Sequence, residues 1–126
     1  MAANPVPRPD ELKLEPEKRE SEIYVRATGR ITSNTAATLQ NILRELVSGN
    51  KRLVLDLTAV DYIDSAGLGA LVGVYTHAAR TNCELEIANP RQRVRDLFTR
   101  TGLISVFAKI QEAGERHDEL LGMTPS

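Results

Sequence analysis

Leu53-Val54-Leu55-Asp56-Leu57-Thr58-Ala59-Val60-Asp61-Tyr62-Ile63-Asp64-Ser65-Ala66-Gly67-Leu68-Gly69-Ala70-Leu71 is the stretch that decides the fold. Its opening, Leu53 to Leu57, is nearly continuous apolar sequence, the pattern of a strand buried on both faces. Asp56 interrupts the run, which predicts a position at the C-terminal edge of the sheet. After a loop, Asp64-Ser65 opens a helix that runs to about Arg80, with Thr81-Asn82 closing it. A buried strand that feeds a helix in this way is the building unit of a parallel sheet. In such sheets functional groups gather beyond the C-terminal ends of the strands. A helix that begins there presents backbone N–H groups without helical partners, which favours negative charge.

The same alternation continues on both sides. Upstream, Glu22 to Ala27 alternates, with Ile23 and Val25 on one face and Tyr24 and Arg26 on the other, and predicts a strand that Gly29 breaks. Thr32-Ser33-Asn34-Thr35 is rich in helix-capping residues. The helix after it sets Ala36, Leu39, Ile42, Leu43, Leu46 and Val47 on one face and ends at Ser48-Gly49-Asn50. Downstream, Glu84 to Ala88 is a strand with Leu85 and Ile87 inward, and Asn89-Pro90 starts a third helix with Val94, Leu97 and Phe98 as its buried stripe. Gly102 stops that helix, and Leu103 is placed to pack beneath the stop. Ile104 to Phe107 reads as a short strand and residues 110–121 as a polar helix. Residues 11–20 read as an edge strand that pairs with the next as an antiparallel hairpin. The expectation is an α/β fold: a mixed, mostly parallel sheet of four or five strands with three or four helices. Residues 1–10, with Pro5, Pro7 and Pro9, read as a disordered arm, 11–121 as a single domain and 122–126 as a frayed end.

Composition narrows the function classes. A chain of 126 residues fits one domain, and 41% hydrophobic with 26% charged residues is ordinary for a globular protein. A net charge of −1 points to neither nucleic acid nor a membrane surface. Cys83 stands alone, which suits a reducing compartment and rules out a cysteine-built zinc site. No stretch resembles a secretory leader, and Ala66 to Val74 is too short to span a bilayer, so a cytoplasmic protein is expected. His77 and His117 are far apart in the chain, and no metal-ligand spacing is present; neither metal nor cofactor is expected.

Ser65 and its surroundings carry the chemistry. A serine or aspartate at this point is a good cap, and capping alone explains the dipeptide. Gly67, Gly69 and Gly73 in one helix need a further reason, because each glycine costs up to ~1 kcal/mol relative to alanine. Close packing on neighbouring elements is one reason. A smooth surface that lets a partner approach Ser65 is the other. An ideal wheel buries Leu68, Leu71, Val72, Tyr75 and Ala79 and leaves Ala66, Gly69, Ala70, Gly73 and His77 as a strip of small residues beside them. Arg91, Arg93, Arg95 and Arg100 cluster on the third helix; with Asp96 among them they read as a solvated face.

These motifs, in this order, resemble STAS domains, the sulphate transporter and anti-sigma factor antagonist family. The resemblance rests on Leu55-Asp56-Leu57-Thr58, Val60 and Ile63-Asp64-Ser65-Ala66-Gly67-Leu68-Gly69-Ala70-Leu71. It extends over about residues 20–107 through Gly29-Arg30-Ile31, Asn89-Pro90-Arg91-Gln92-Arg93-Val94 and Thr101-Gly102-Leu103. It implies a STAS fold and a non-enzymatic role. In anti-sigma antagonists similar to this chain, the serine that directly follows the motif aspartate is phosphorylated by an anti-sigma factor that is itself a kinase; Ser65 holds that place. The resemblance implies that the unmodified chain binds the anti-sigma factor and frees the sigma factor, that phosphorylation of Ser65 abolishes binding, and that a phosphatase reverses it. The partner-binding face it implies comprises Thr32, Ser33, Asp64, Ala66, Gly67, Leu68, Gly69 and Gly73, with Asp56 in support. Many such antagonists carry an acidic residue at the place of Thr32.

Three other readings remain, of which a nucleotide- or anion-binding module lacks the Gly-x-x-x-x-Gly-Lys-Ser/Thr loop that would cradle phosphates. The same fold can regulate a signalling enzyme unrelated to sigma factors. A small serine hydrolase is the reading from another class, because Ile63-Asp64-Ser65-Ala66-Gly67 resembles a nucleophile elbow with its first glycine replaced. Such a serine needs a histidine base beside it. His77 lies about three turns along the same helix, ~18 Å away.

Overall fold

The computed structural model describes residues 11–103 and the backbone of 110–111. Elements follow in the order β1 (Leu12–Arg19), β2 (Glu22–Ile31), α1 (Ala36–Val47), β3 (Arg52–Ile63), α2 (Ser65–Arg80), β4 (Glu84–Ala88), α3 (Gln92–Arg100) and β5 (Ile110–Gln111). The strands form one sheet in sequence order. β1 pairs antiparallel with β2 and every later neighbour pairs parallel. This is the mixed, mostly parallel sheet with three helices that the alternating pattern implies.

The core is aliphatic. Leu53, Leu55 and Leu57 of β3 are fully buried on one face while Val54 and Asp56 are buried on the other, so the central strand is covered on both sides. Leu39, Leu43 and Val47 of α1 and Leu71 and Val74 of α2 pack above Val25, Ala27, Leu55 and Ile87. α3 buries Val94 and Phe98, and Leu97 and Leu103 pack at the margin of the core. Burial of each such aliphatic side chain contributes about 1.5–3 kcal/mol.

Several boundaries differ from the sequence expectation. Gly29 does not end β2; the strand runs through it to Ile31. Its φ of +118° is open to glycine, and a Cβ there would lie 2.1 Å from the carbonyl oxygen of Glu11, so the glycine keeps the strand paired rather than breaking it. β3 likewise continues past Leu57 to Ile63, where a loop was expected. Register shifts opposite Ala27 and after Gly29 let it do so: the bulges re-aim the chain, and the simple alternation is lost without loss of pairing. Asp56 therefore sits within β3, not at its end, although it is level with Ala88 at the end of β4.

Helix starts and faces also shift. Thr35 is the N-cap position of α1, and its side chain makes no cap bond to the helix; Ile42 is 36% exposed, not part of the buried face. α3 begins at Gln92, with Arg91 as N-cap, while Asn89 takes a left-handed φ of +54° and turns the chain instead of capping it. In α2 the buried positions are Gly67, Leu68, Ala70, Leu71, Val74 and Ala78, so the buried face is rotated toward the small residues; Val72 and Tyr75 are half-buried and Ala79 is exposed. The helix approaches its neighbours closely enough that glycine and alanine, not tyrosine, fill the contact. Ile110–Gln111 is strand where a helix was expected. The terminal segments 1–10 and 122–126, the expected strand at 104–107 and the rest of the expected C-terminal helix lie outside the described residues.

Candidate functional site

β3 delivers the chain to Ile63, which is buried, and the next residue turns it into α2. Asp64 is the N-cap, in an extended conformation at φ −101° and ψ −176°. One carboxylate oxygen, Oδ1, accepts the N–H of Gly67 at 2.9 Å; the other, Oδ2, accepts the N–H of Ser33 at 3.3 Å. The Asp64 N–H donates to the carbonyl of Ile31 at 3.2 Å. One aspartate thus ties the α2 start to the end of β2 and to the loop before α1. A cap of this type contributes about 1 kcal/mol.

That loop is held by its own hydroxyls. Thr35 Oγ1 accepts the N–H of Thr32 at 2.9 Å and donates to the carbonyl of Arg30 at 2.8 Å. Thr32 Oγ1 accepts the N–H of Asn34 at 3.2 Å. Thr32 is 9% exposed, so the side chain that stands where many antagonists carry an acid is turned into the loop's hydrogen bonds.

Ser65 is the first residue of α2 and is exposed, and its hydroxyl engages no described residue. Ala66, Gly69 and Ser33 are exposed beside it. A Cβ added at Gly69 would meet nothing within 4 Å. Gly67 and Leu68 are buried. A Cβ on Gly67 would lie 2.0 Å from the carbonyl oxygen of Ile31, so its absence seats the helix against β2. Gly73 is half-buried and faces α1, where the Gln40 side chain would come within 2.7 Å of an added Cβ. Close packing therefore accounts for Gly67, whereas Gly69 has open space where its side chain would be.

Asp56 is the residue whose surroundings sequence reasoning left open. It is 5% exposed. Its Oδ2 accepts the Tyr24 hydroxyl at 2.7 Å, and its Oδ1 accepts both the N–H of Thr58 at 2.9 Å and its hydroxyl at 2.6 Å. Burial pushes the Asp56 carboxyl up, but the hydrogen bonds from Thr58, Tyr24 and Asn89 outweigh it and hold the group below the usual carboxylate range. Burial, then the bond to Asp56 and its charge, push the Tyr24 hydroxyl up to about 12. The cluster fastens β2 to β3 at the bulge that redirects β3 toward Ser65. The carboxylate's contribution is present above the unfolded-state pKa of about 4 and is lost as pH falls through its depressed folded value. The tyrosine's is present below about 10 and is lost as pH rises through about 12. Tyr24→Phe is expected to lower stability by about 1–2 kcal/mol at neutral pH and to flatten the alkaline limb of a urea-midpoint profile. An unchanged alkaline limb would show that the hydroxyl does not titrate in this way.

Among the described residues no group of metal-ligating side chains is gathered, and no helix is long and apolar enough to cross a membrane. His77, the one histidine among them, is half-buried on α2 about three turns beyond Ser65.

A profile of the STAS domain matches residues 13–115. The chain belongs to the STAS domain family. Among its STAS relatives is the anti-sigma-B factor antagonist of Bacillus subtilis, 30% identical over 92 residues that span 73% of this chain and 84% of the relative. The fold matches that of an anti-sigma factor antagonist from Mycobacterium paratuberculosis with a TM-score of 0.73 at 24% identity, over 96% of this chain and all of that one. It also matches the Bacillus cell fate determinant SpoIIAA in its phosphorylated form, with a TM-score of 0.63 at 13% identity over 87% of this STAS chain and 97% of the other.

Proposed function

We propose that this chain is an anti-sigma factor antagonist whose Ser65 is the phosphorylated switch of a partner-changing circuit. The unmodified protein binds an anti-sigma factor kinase through the surface of Ser33, Ser65, Ala66 and Gly69, with Asp64 at its centre, and the sigma factor is released. Phosphorylation of Ser65 ends that binding and a phosphatase restores it. The protein acts by binding rather than turnover, and its place of action is the cytoplasm. Thr32, Gly67, Leu68, Gly73 and Asp56 serve the same surface from beneath, by fixing the loop, the helix and the strand that form it.

The observation that carries this reading is the exposed, unengaged Ser65 hydroxyl in the first turn of a helix that Asp64 already caps. The Asp64 carboxylate occupies the Gly67 and Ser33 N–H groups. A phosphate on Ser65 therefore gains an adjacent negative charge, and projects toward whatever docks there. Incubation with the anti-sigma kinase and ATP, followed by peptide mass spectrometry, is expected to place the phosphate on Ser65 alone, with none on the Ser65→Ala protein. A phosphate on Ser33 or on any other hydroxyl would reject the assignment.

A further inference from the structure

The arginines of α3, which the sequence presents as a solvated face, line a groove. Arg93, Leu97 and Arg100 fall on one stripe of α3, and with Val94 they face Tyr62 and Ile63 across a cleft of about 260 Å³. A second cleft of about 440 Å³ adjoins it, between Asp61 and Arg91, Gln92 and Arg93. Among the described residues none of Arg91, Arg93 and Arg100 forms an ion pair. Asp96, the one acid of the helix, is turned to Gln92, which donates to it at 2.7 Å. Tyr62 is 38% exposed, one of two large apolar side chains so open among the described residues. The Arg30 guanidinium lies 5.3 Å from its ring centroid and 3.8 Å from Asp61, which adds a fourth cation at the rim.

In a chain whose net charge is −1, this is a local concentration of positive charge around an apolar floor. It begins at Asp61 and Tyr62, immediately before Ile63-Asp64-Ser65, so a molecule seated on the switch surface has this groove within reach. We propose that the groove between α3 and the end of β3 docks an acidic segment of a protein partner, with an apolar side chain of that segment set over Ile63, Val94 and Leu97. Charge complementarity identifies the occupant. The guanidinium forks match carboxylates in geometry, and the floor rejects a purely polar ligand. The surface is separate from the hydroxyl switch: it supplies attraction and orientation that do not depend on the state of Ser65.

The test uses the full chain, labelled with 15N, and a short synthetic peptide that alternates glutamate with leucine. Titration is expected to move the amides of residues 61–63 and 91–100, with weaker binding at higher salt. Arg93→Glu with Arg100→Glu is expected to weaken the peptide at least about tenfold. Arg44→Glu with Arg80→Glu changes the net charge equally at exposed sites away from the groove and is expected to leave affinity unaltered. Ser65→Asp is expected to weaken the peptide far less than the Arg93→Glu, Arg100→Glu pair does, which separates this proposal from the switch. Equal weakening by both charge-reversed pairs, shifts centred elsewhere, or a duplex DNA that takes the groove while the peptide does not would each overturn it.

Discussion

Ser65→Asp, or phosphorylation of Ser65, is expected to weaken binding of the anti-sigma factor kinase some hundreds-fold, while Ser65→Ala keeps full affinity. Phosphorylation adds about −1.5 to −2 charges to a surface that already carries the Asp64 carboxylate. The dipole of α2 returns about 0.3–1 kcal/mol for a negative group in its first turn. Sealing an unpaired anion under a partner costs several kcal/mol, so the cost prevails. A net loss of ~3–4 kcal/mol corresponds to a few hundred-fold in affinity. The hydroxyl engages no described residue, so melting temperatures of the variants should be nearly equal. Isothermal titration against the purified kinase measures the effect. Equal affinities for the Asp and Ala forms would remove the electrostatic switch.

Gly67→Ala and Gly69→Ala, the same change two residues apart on one helix, are expected to act in opposite directions on stability. A methyl group on Gly67 would lie 2.0 Å from the Ile31 carbonyl oxygen and 2.6 Å from its carbon. Backbone on both sides must move, and the cost is about 3 kcal/mol or more. In a domain of this size that lowers the melting temperature by of the order of 10 °C or more. It also lifts the Asp64–Ser65 turn away from β2, so partner affinity falls with it. Gly69 has only solvent where its Cβ would be, and alanine there gains about 0.5–1 kcal/mol from helix propensity. If Gly69 lies under the partner, the stabilised variant nevertheless binds less well. Thermal melts and titrations of the two proteins decide both points. A Gly67→Ala protein as stable as its parent would mean that α2 does not rest on Ile31.

What was legible in the chain was whatever rests on local pattern. The apolar run of β3, the amphipathic faces of α1 and α3 and the stop signals at Gly49 and Gly102, both with left-handed φ, follow from spacing and backbone preference. Ser65 stood out because an aspartate and a serine meet at one strand-to-helix turn and three glycines follow in the same helix. The misread features depend on neighbours distant in sequence. Thr58, Asp61 and Tyr62 look like loop because the bulge in the β2–β3 pairing upsets their alternation, and the bulge belongs to two strands at once. Gly29 looks like a terminator unless the Glu11 carbonyl is known to press against it. The buried face of α2 was rotated because hydrophobicity undervalues glycine and alanine where helices lie close. Tyr24 and Asp56, 32 residues apart, carry no mark of their hydrogen bond. Alternation placed Tyr24 on the face opposite Ile23 and Val25, and that face holds a buried carboxylate.

β1 carries features that work against edge-to-edge pairing of the sheet. As the outermost strand of an open sheet it offers a row of main-chain groups to any other chain with a strand to spare. Pro16 withholds one donor from that row, and Glu15, Glu17, Lys18 and Arg19 project charge of both signs around it. A second copy that tried to lengthen the sheet would have to strip water from these groups and mispair them. An edge built in this way disfavours lengthening of the sheet by a second copy and leaves recognition to side chains.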